Sequence, residues 1–506
     1  MINSIGKIKL AHYSIKEYLM SDFLLQRAAS FFHFTAELSH SLIAQTCLAY
    51  LLQFDNHTLA FISLDQVNQS SPLAIYAARY WIFHAHNGGI EKSEPSRMFR
   101  LAVKLFTPES AQFMNWVKFY EMDINHDDIA KPLYYASQTG LVQVLEHLLK
   151  IERDVNIKGG KYGNALQAAS SHGHEVIVKL LVKKGADMNA QGGYYGNALQ
   201  AASSCGNEVI VKLLLEKGAD VNAQGGKYGN ALKAASSGGH EVIVKLLLQK
   251  GADVNAQGGQ FYGNALQIAS SGGHEVIVKL LLEKGADVNA QGGQYGNALQ
   301  AASSHGHEVI VELLLEKGAD VNAQRGQYGN ALQAASSCGH EEIVKLLLEK
   351  GADVNAQGGK YDDALQIASS GGHEVIVKLL LEKGADVNAQ RGQYGNALQV
   401  ASSCGHEVIV KLLLEKGADV NAQGGQYGNA LQAASSCGHK VIVKLLLEKG
   451  ADVNAQRGRY GNALQAASSG GHEEILKLLL EKGANVNAQG GFYAMHSRQH
   501  HLVVMR

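Results

Sequence analysis

Tyr162-Gly163-Asn164-Ala165-Leu166-Gln167-Ala168-Ala169-Ser170-Ser171 leads, one residue later, into Gly173-His174-Glu175-Val176-Ile177-Val178-Lys179-Leu180-Leu181 and closes on Gly185-Ala186-Asp187. The chain repeats this sentence. Its opening tyrosine returns as Tyr195, Tyr228, Tyr262, Tyr295, Tyr328, Tyr361, Tyr394, Tyr427 and Tyr460, in steps of 33 residues with one step of 34 at Phe261. A fixed period in this range is the signature of stacked units, each too small to bury its apolar face alone. Each unit reads as two short helices and a projecting hairpin. Asn164 suits an N-cap, because its side chain accepts from free backbone N–H groups of the first turn. Helix A is expected over 165–171 and is built from small residues. Helix B is expected over 175–184, with Val176, Ile177, Val178, Leu180 and Leu181 as a wide buried stripe. Gly185 ends it as a C′ glycine. On the solvated side of the next copy, Glu208, Lys212 and Glu216 stand at i, i+4 spacing.

These residues resemble the ankyrin repeat. Ala-Ala, Gly-His, a Val/Leu-rich helix and Gly218-Ala219-Asp220-Val221-Asn222-Ala223 fall in phase with that family. The opening departs from it. Asn-Ala-Leu-Gln replaces the usual Thr-Pro-Leu-His, which keeps the N-cap and drops the N1 proline; only Lys131-Pro132-Leu133-Tyr134-Tyr135-Ala136 retains it. The resemblance implies an all-α solenoid of about eleven repeats over residues 129–492, behind a helical module over 1–128 and before a degenerate tail over 493–506. A twelfth repeat starts at Tyr493 and is lost at once.

The net charge of −1 and pI near 7.1 give no overall basic footprint for nucleic acid. Five cysteines, an odd number, argue against a disulfide framework and for a reducing, intracellular and cytoplasmic setting. Cys404 and Cys437 hold the same slot of adjacent repeats, roughly 9–10 Å apart and beyond the ~7 Å that a disulfide spans. No apolar run reaches the ~18 residues of a membrane span.

Residues 1–128 show no period and are rich in aromatics. Helices are expected over 15–28 behind a Ser14/Glu17 capping box, over 35–52, from Ser71-Pro72 through Tyr76, Tyr80 and Trp81, and from Thr107-Pro108-Glu109 through Phe113 and Trp116. Leu10-Ala11-His12-Tyr13-Ser14-Ile15-Lys16-Glu17-Tyr18-Leu19 resembles the segment that follows the nucleotide-binding NACHT module of NLR-like proteins. Ser71–Trp81 is similar to the helical connector of fungal NACHT–ankyrin proteins. That resemblance implies the ligand-sensing repeat part of a signalling receptor, with the ATPase segment upstream of this chain. The chain holds no Gly-x-x-x-x-Gly-Lys-Ser/Thr phosphate loop. The other reading is a free-standing ankyrin scaffold.

No catalytic, cofactor or metal residues are expected. The histidines of the Gly-His slot recur one repeat apart, too far to converge on one ion. The resemblance gives them a backbone hydrogen bond in the inter-helix turn. Ser171 and His174 have no orienting acid. The slot of His172, Cys205, His305 and Cys338 reads as a tolerant loop position. Positions that vary while the frame holds are the candidate binding set. They are Lys161, Tyr194, Lys227, Phe261 and Arg459 at the hairpin tips, Arg325, Arg391 and Arg457 just before them, and Lys233 in helix A. The tyrosine row adds Tyr195, Tyr262, Tyr295, Tyr328, Tyr394, Tyr427 and Tyr460. The family resemblance puts hairpins and helix A on a concave protein-binding face, and Tyr and Arg are common hot-spot residues.

Overall fold

The computed structural model describes residues 35–55, 71–90, 96–122, 128–259, 263–358, 363–390, 395–456, 458–459 and 461–488. The helix expected over 15–28 and the tail from Tyr493 lie outside them. All regular structure among the described residues is helical, in 26 helices. The chain divides into two compact units, Met1–Ala234 and Ala235–Arg506.

In the first unit, α1 (Ala36–Leu51), α2 (Ala74–Asn87), α3 (Arg97–Leu105) and α4 (Ala111–Glu121) precede the repeats. Thr35, Ser96 and Ser110 cap α1, α3 and α4, each accepting from the N3 amide. α3 was not anticipated. Two other starts differ from expectation. α2 begins at Ala74 behind an uncapped Leu73, not at Pro72, and α4 begins at Ala111 because Ser110 outcompetes Thr107 as the cap. Trp81, Phe106, Phe113, Trp116 and Phe119 are fully buried between these helices. Trp116 also donates its indole N–H to the Ala78 carbonyl at 3.2 Å. The first repeat seats on this aromatic cluster. Tyr135 meets Phe113 and Trp116 edge-on, each at 5.7 Å.

Every repeat places helix A beside helix B, as in Ala298–His305 and Glu308–Glu316. Leu299, Ala301 and Ala302 of helix A and Ile310, Val311 and Leu314 of helix B are at most 1% exposed. The alanines keep helix A thin, which lets successive A helices pack closely. The stripe on helix B is narrower than expected. Its second residue faces solvent: Val176, Val276 and Val408 are 54%, 55% and 54% exposed. One hundred degrees per residue turns this position off the buried arc set by Ile177, Val178 and Leu181.

Three kinds of polar ladder recur between neighbouring repeats within each unit. The first is carried by the helix A glutamine. Gln300 Oε1 accepts the Asn297 N–H at 3.0 Å while Asn297 Oδ1 accepts the Gln300 N–H at 2.8 Å, a complete capping box. The same amide then crosses to the next hairpin, where Nε2 donates to the carbonyls of Ala323 (3.0 Å) and Gly329 (2.7 Å). Gln200, Gln399 and Gln432 do the same in their repeats. The glycine that follows all but one of these tyrosines (Asp362 follows Tyr361) makes room for this amide; at Gly296, φ is +93° and a Cβ would collide with Gln300 Oε1.

In the second ladder the Gly-His histidine reaches the preceding repeat, not its own turn. His307 Nε2 meets the Ser271 carbonyl at 3.1 Å and His439 the Ser403 carbonyl at 3.1 Å. Asn207, which replaces it once, donates through Nδ2 to the Ser170 carbonyl at 2.8 Å. In the third, Asp320 accepts from the Asn322 N–H at 2.9 Å, and Asn322 then bridges onward to the Gly351 carbonyl (3.2 Å) and Asp353 N–H (2.8 Å). This explains the Asp and Asn of the Gly-Ala-Asp-Val-Asn ending: both side chains hold turns.

Substituting Gln300→Ala strands a buried amide and two buried carbonyls. Stability should fall by about 2–4 kcal/mol in urea unfolding, against less than about 0.5 kcal/mol for the exposed Gln294→Ala.

Candidate protein-interaction face

The hairpins project from this frame, and their geometry is set from behind. Several of the described hairpins close on a short bridge, Gly192 N to Gly196 O at 2.8 Å in one copy and Gly424 N to Gly428 O at 2.8 Å in another. Adjacent tips are then tied backbone to backbone. Tyr194 N donates to Lys161 O at 2.9 Å and Lys227 N to Tyr194 O at 3.0 Å. Later, Gln327 N donates to Gln294 O at 3.3 Å and Arg459 N to Gln426 O at 3.0 Å. Among the described residues, positions 161, 194 and 227 in the first unit, and the pairs 294/327 and 426/459 in the second, are therefore held in register, with side chains that differ from repeat to repeat.

The tyrosines are the inner part of the hairpin. Tyr162 and Tyr195 stack at 6.0 Å and 6°, and Tyr134 and Tyr162 at 6.5 Å and 23°. Tyr162, Tyr195 and Tyr295 also reach the end of their own helix A. Tyr295 OH meets His305 Nε2 at 3.4 Å with the rings edge-on at 5.1 Å, and Cys205 Sγ donates to Tyr195 OH at 3.6 Å. The slot read as a tolerant loop position lies at the end of helix A; where it holds His305 or Cys205 it contacts the tyrosine, and in other repeats it holds glycine, such as Gly238 and Gly272. Tyr195, Tyr295, Tyr328 and Tyr427 are half-buried in these contacts. Burial pushes the Tyr195 and Tyr328 hydroxyls up from their ordinary range.

The exposed candidates are Lys161, Tyr194, Arg325 and Arg459, with Lys227 partly exposed. The last of these donates Nζ to Tyr194 OH at 2.7 Å. Phe261, Tyr262, Arg391, Tyr394, Arg457 and Tyr460 lie outside the described residues. Lys233 is a correction. It takes the glutamine position of the first ladder and is fully buried, so it presents nothing to a partner. Its substitution for glutamine resembled surface variation because helix A is too short to show which face the third residue takes.

Among the described residues, no group of three His, Cys, Asp or Glu side chains converges as a metal site, and all five cysteines are free thiols. No helix there is long and apolar enough to cross a membrane.

The family model "Ankyrin repeats (3 copies)" matches in overlapping blocks that run continuously from residue 100 to residue 490. The chain belongs to the ankyrin-repeat family. A 183-residue stretch is 38% identical to "Azaphilone pigments biosynthesis cluster protein L" of Monascus ruber, covering 32% of this chain and 37% of that protein. The chain thus spans just over a third of the length of this curated relative. The crystal structure of the human ASB11 ankyrin repeat domain is also similar, at 28% identity and a TM-score of 0.39, over 44% of this chain and 98% of that one. In this ankyrin chain the Asn-Ala-Leu-Gln opening performs the capping and cross-repeat bonding described above.

Burial pushes the Lys233 ammonium down to about 8. In the unfolded chain a lysine holds its proton to about 10.4, so between these values the unfolded state binds more protons and stability rises with pH. Lys233→Gln removes that term and restores an acceptor for the cap. The variant should be the more stable at pH 7, and its advantage should shrink between pH 8 and 10; parallel urea titrations across that range check both.

Proposed function

We propose that this ankyrin-repeat chain is a non-enzymatic protein-binding platform, and that its partner lies along the registered hairpin tips and the adjoining helix A row, on the concave face of the family. The observation that carries this reading is the contrast at the tips. The side chains change from Lys161 to Tyr194 to Lys227 to Gln294, while the backbone beneath them keeps the same hydrogen bonds. A surface preorganised in this way loses little conformational freedom on binding, which favours affinity.

At a finer level, the proposed role is the ligand-sensing repeat part of a fungal NLR-like signalling receptor, working with a NACHT ATPase segment and with residues 1–128 as the connector that seats the first repeat. The support is the similarity of Leu10–Leu19 and Ser71–Trp81 to that connector. The same seating would serve a free-standing scaffold.

With the full chain as bait in native extract, Tyr194→Ala with Arg325→Ala and Arg459→Ala should reduce recovery of the bound protein about tenfold, the loss of one moderate hot spot. The melting temperature should move by no more than about 2 °C. Recovery that survives these changes but is lost on Val408→Ser with Val441→Ser would move the partner to helix B and sink the reading.

A further inference from the structure

The chain's net charge of −1 conceals a separation of charge within the first unit. Residues 157–174, 190–207 and 223–234 make up the hairpins and A helices of three consecutive repeats there, and they contain no aspartate or glutamate. The carboxylates of these repeats stand elsewhere, Asp187 and Asp220 in the turns and Glu175, Glu208 and Glu216 on helix B. Lys158 and Lys161 are exposed and Lys227 is partly so. Two of these cations converge on one ring. The Lys161 ammonium lies 6.0 Å and the Lys227 ammonium 5.2 Å from the centroid of Tyr194, and Lys227 also sits 5.3 Å from that of Tyr228. A carboxylate that acts on Lys161 is Glu121, which is half-buried and engaged by the Tyr135 hydroxyl at 3.3 Å.

The two ammonium groups flank the Tyr194 ring, and the surrounding hairpins and A helices carry no carboxylate. Such a surface attracts anionic groups to each lysine and leaves the aromatic ring between them as an apolar contact. We propose that the tips of Lys161, Tyr194 and Lys227 form a docking surface for an acidic polypeptide segment, in which carboxylates meet the two lysines and an apolar side chain lies on Tyr194. This deepens the protein-binding reading by naming the chemistry of the partner. The cations are few and separated by an aromatic residue. That spacing suits alternating acidic and apolar side chains better than the dense, continuous charge of a nucleic-acid backbone.

The test uses the full chain and three fluorescein-labelled probes: a (Glu-Glu-Leu)4 peptide, its (Gln-Gln-Leu)4 counterpart and a twelve-nucleotide oligothymidylate. Fluorescence anisotropy at about 0.1 M salt, where screening still leaves contact-range attraction intact, should show binding of the acidic peptide and at least about tenfold weaker binding of the other two. Lys161→Gln with Lys227→Gln should weaken the acidic peptide about tenfold, and Lys212→Gln with Lys217→Gln on the far helix should leave it unchanged. No binding of the acidic peptide, binding indifferent to Lys161 and Lys227, or equal binding of oligothymidylate would each overturn the proposal. If the acidic peptide fails while the tip variants still lose the native partner, the acidic chemistry falls and the protein-binding reading stands.

Discussion

A single carboxamide on most of the A helices holds both its own helix and its neighbour. Its oxygen satisfies the cap residue's N–H, and its nitrogen satisfies two carbonyls of the following hairpin. These groups are buried, and an unpaired one costs on the order of 1–3 kcal/mol. The hairpin can therefore stand away from the helices without exposing orphan backbone on its inner side. The glycine after the tyrosine, the small helix A and the registered tips all follow from the need to bring that carbonyl pair to the glutamine. The histidine and asparagine ladders do the same work at the other two turns, each crossing one repeat boundary.

This division explains why the outer residues can vary. Backbone hydrogen bonds and buried amides carry the geometry, so Lys161, Tyr194 and Gln294 can exchange identity with no change in hairpin form. The tyrosines stand between the two roles. Tyr162 and Tyr195 stack and Tyr295 reaches the end of its helix A, so they stiffen the hairpin, and each of these residues remains partly at the surface. They are better regarded as the platform beneath the tips than as the tips themselves.

What could be read from the sequence was what is local or periodic. The 33-residue step showed the repeat, and Asn as N-cap and Gly as C′ residue act within four positions of themselves. What could not be read depends on partners one repeat away. The glutamine's acceptors lie 23 and 29 residues on, so its change to Lys233 looked like surface variation. The histidine's acceptor lies 36 residues back, so its bond was placed in its own turn. Val176 reads as core because three apolar residues in a row, Val176-Ile177-Val178, hide which one faces out; only packing resolves that. In the first module two adjacent capping signals competed, and the structure chose Ser110 over Thr107.

Hydrogen exchange of the Gln300→Ala chain tests the central claim, that the glutamine couples each repeat to the one that follows it. Amides of the hairpin around Arg325 and Gly329 should lose protection, while those of the preceding hairpin around Gly292 and Gly296 should exchange as in the unaltered chain. Equal loss in both hairpins, or loss in neither, would contradict a directed coupling and leave the glutamine as a local cap only.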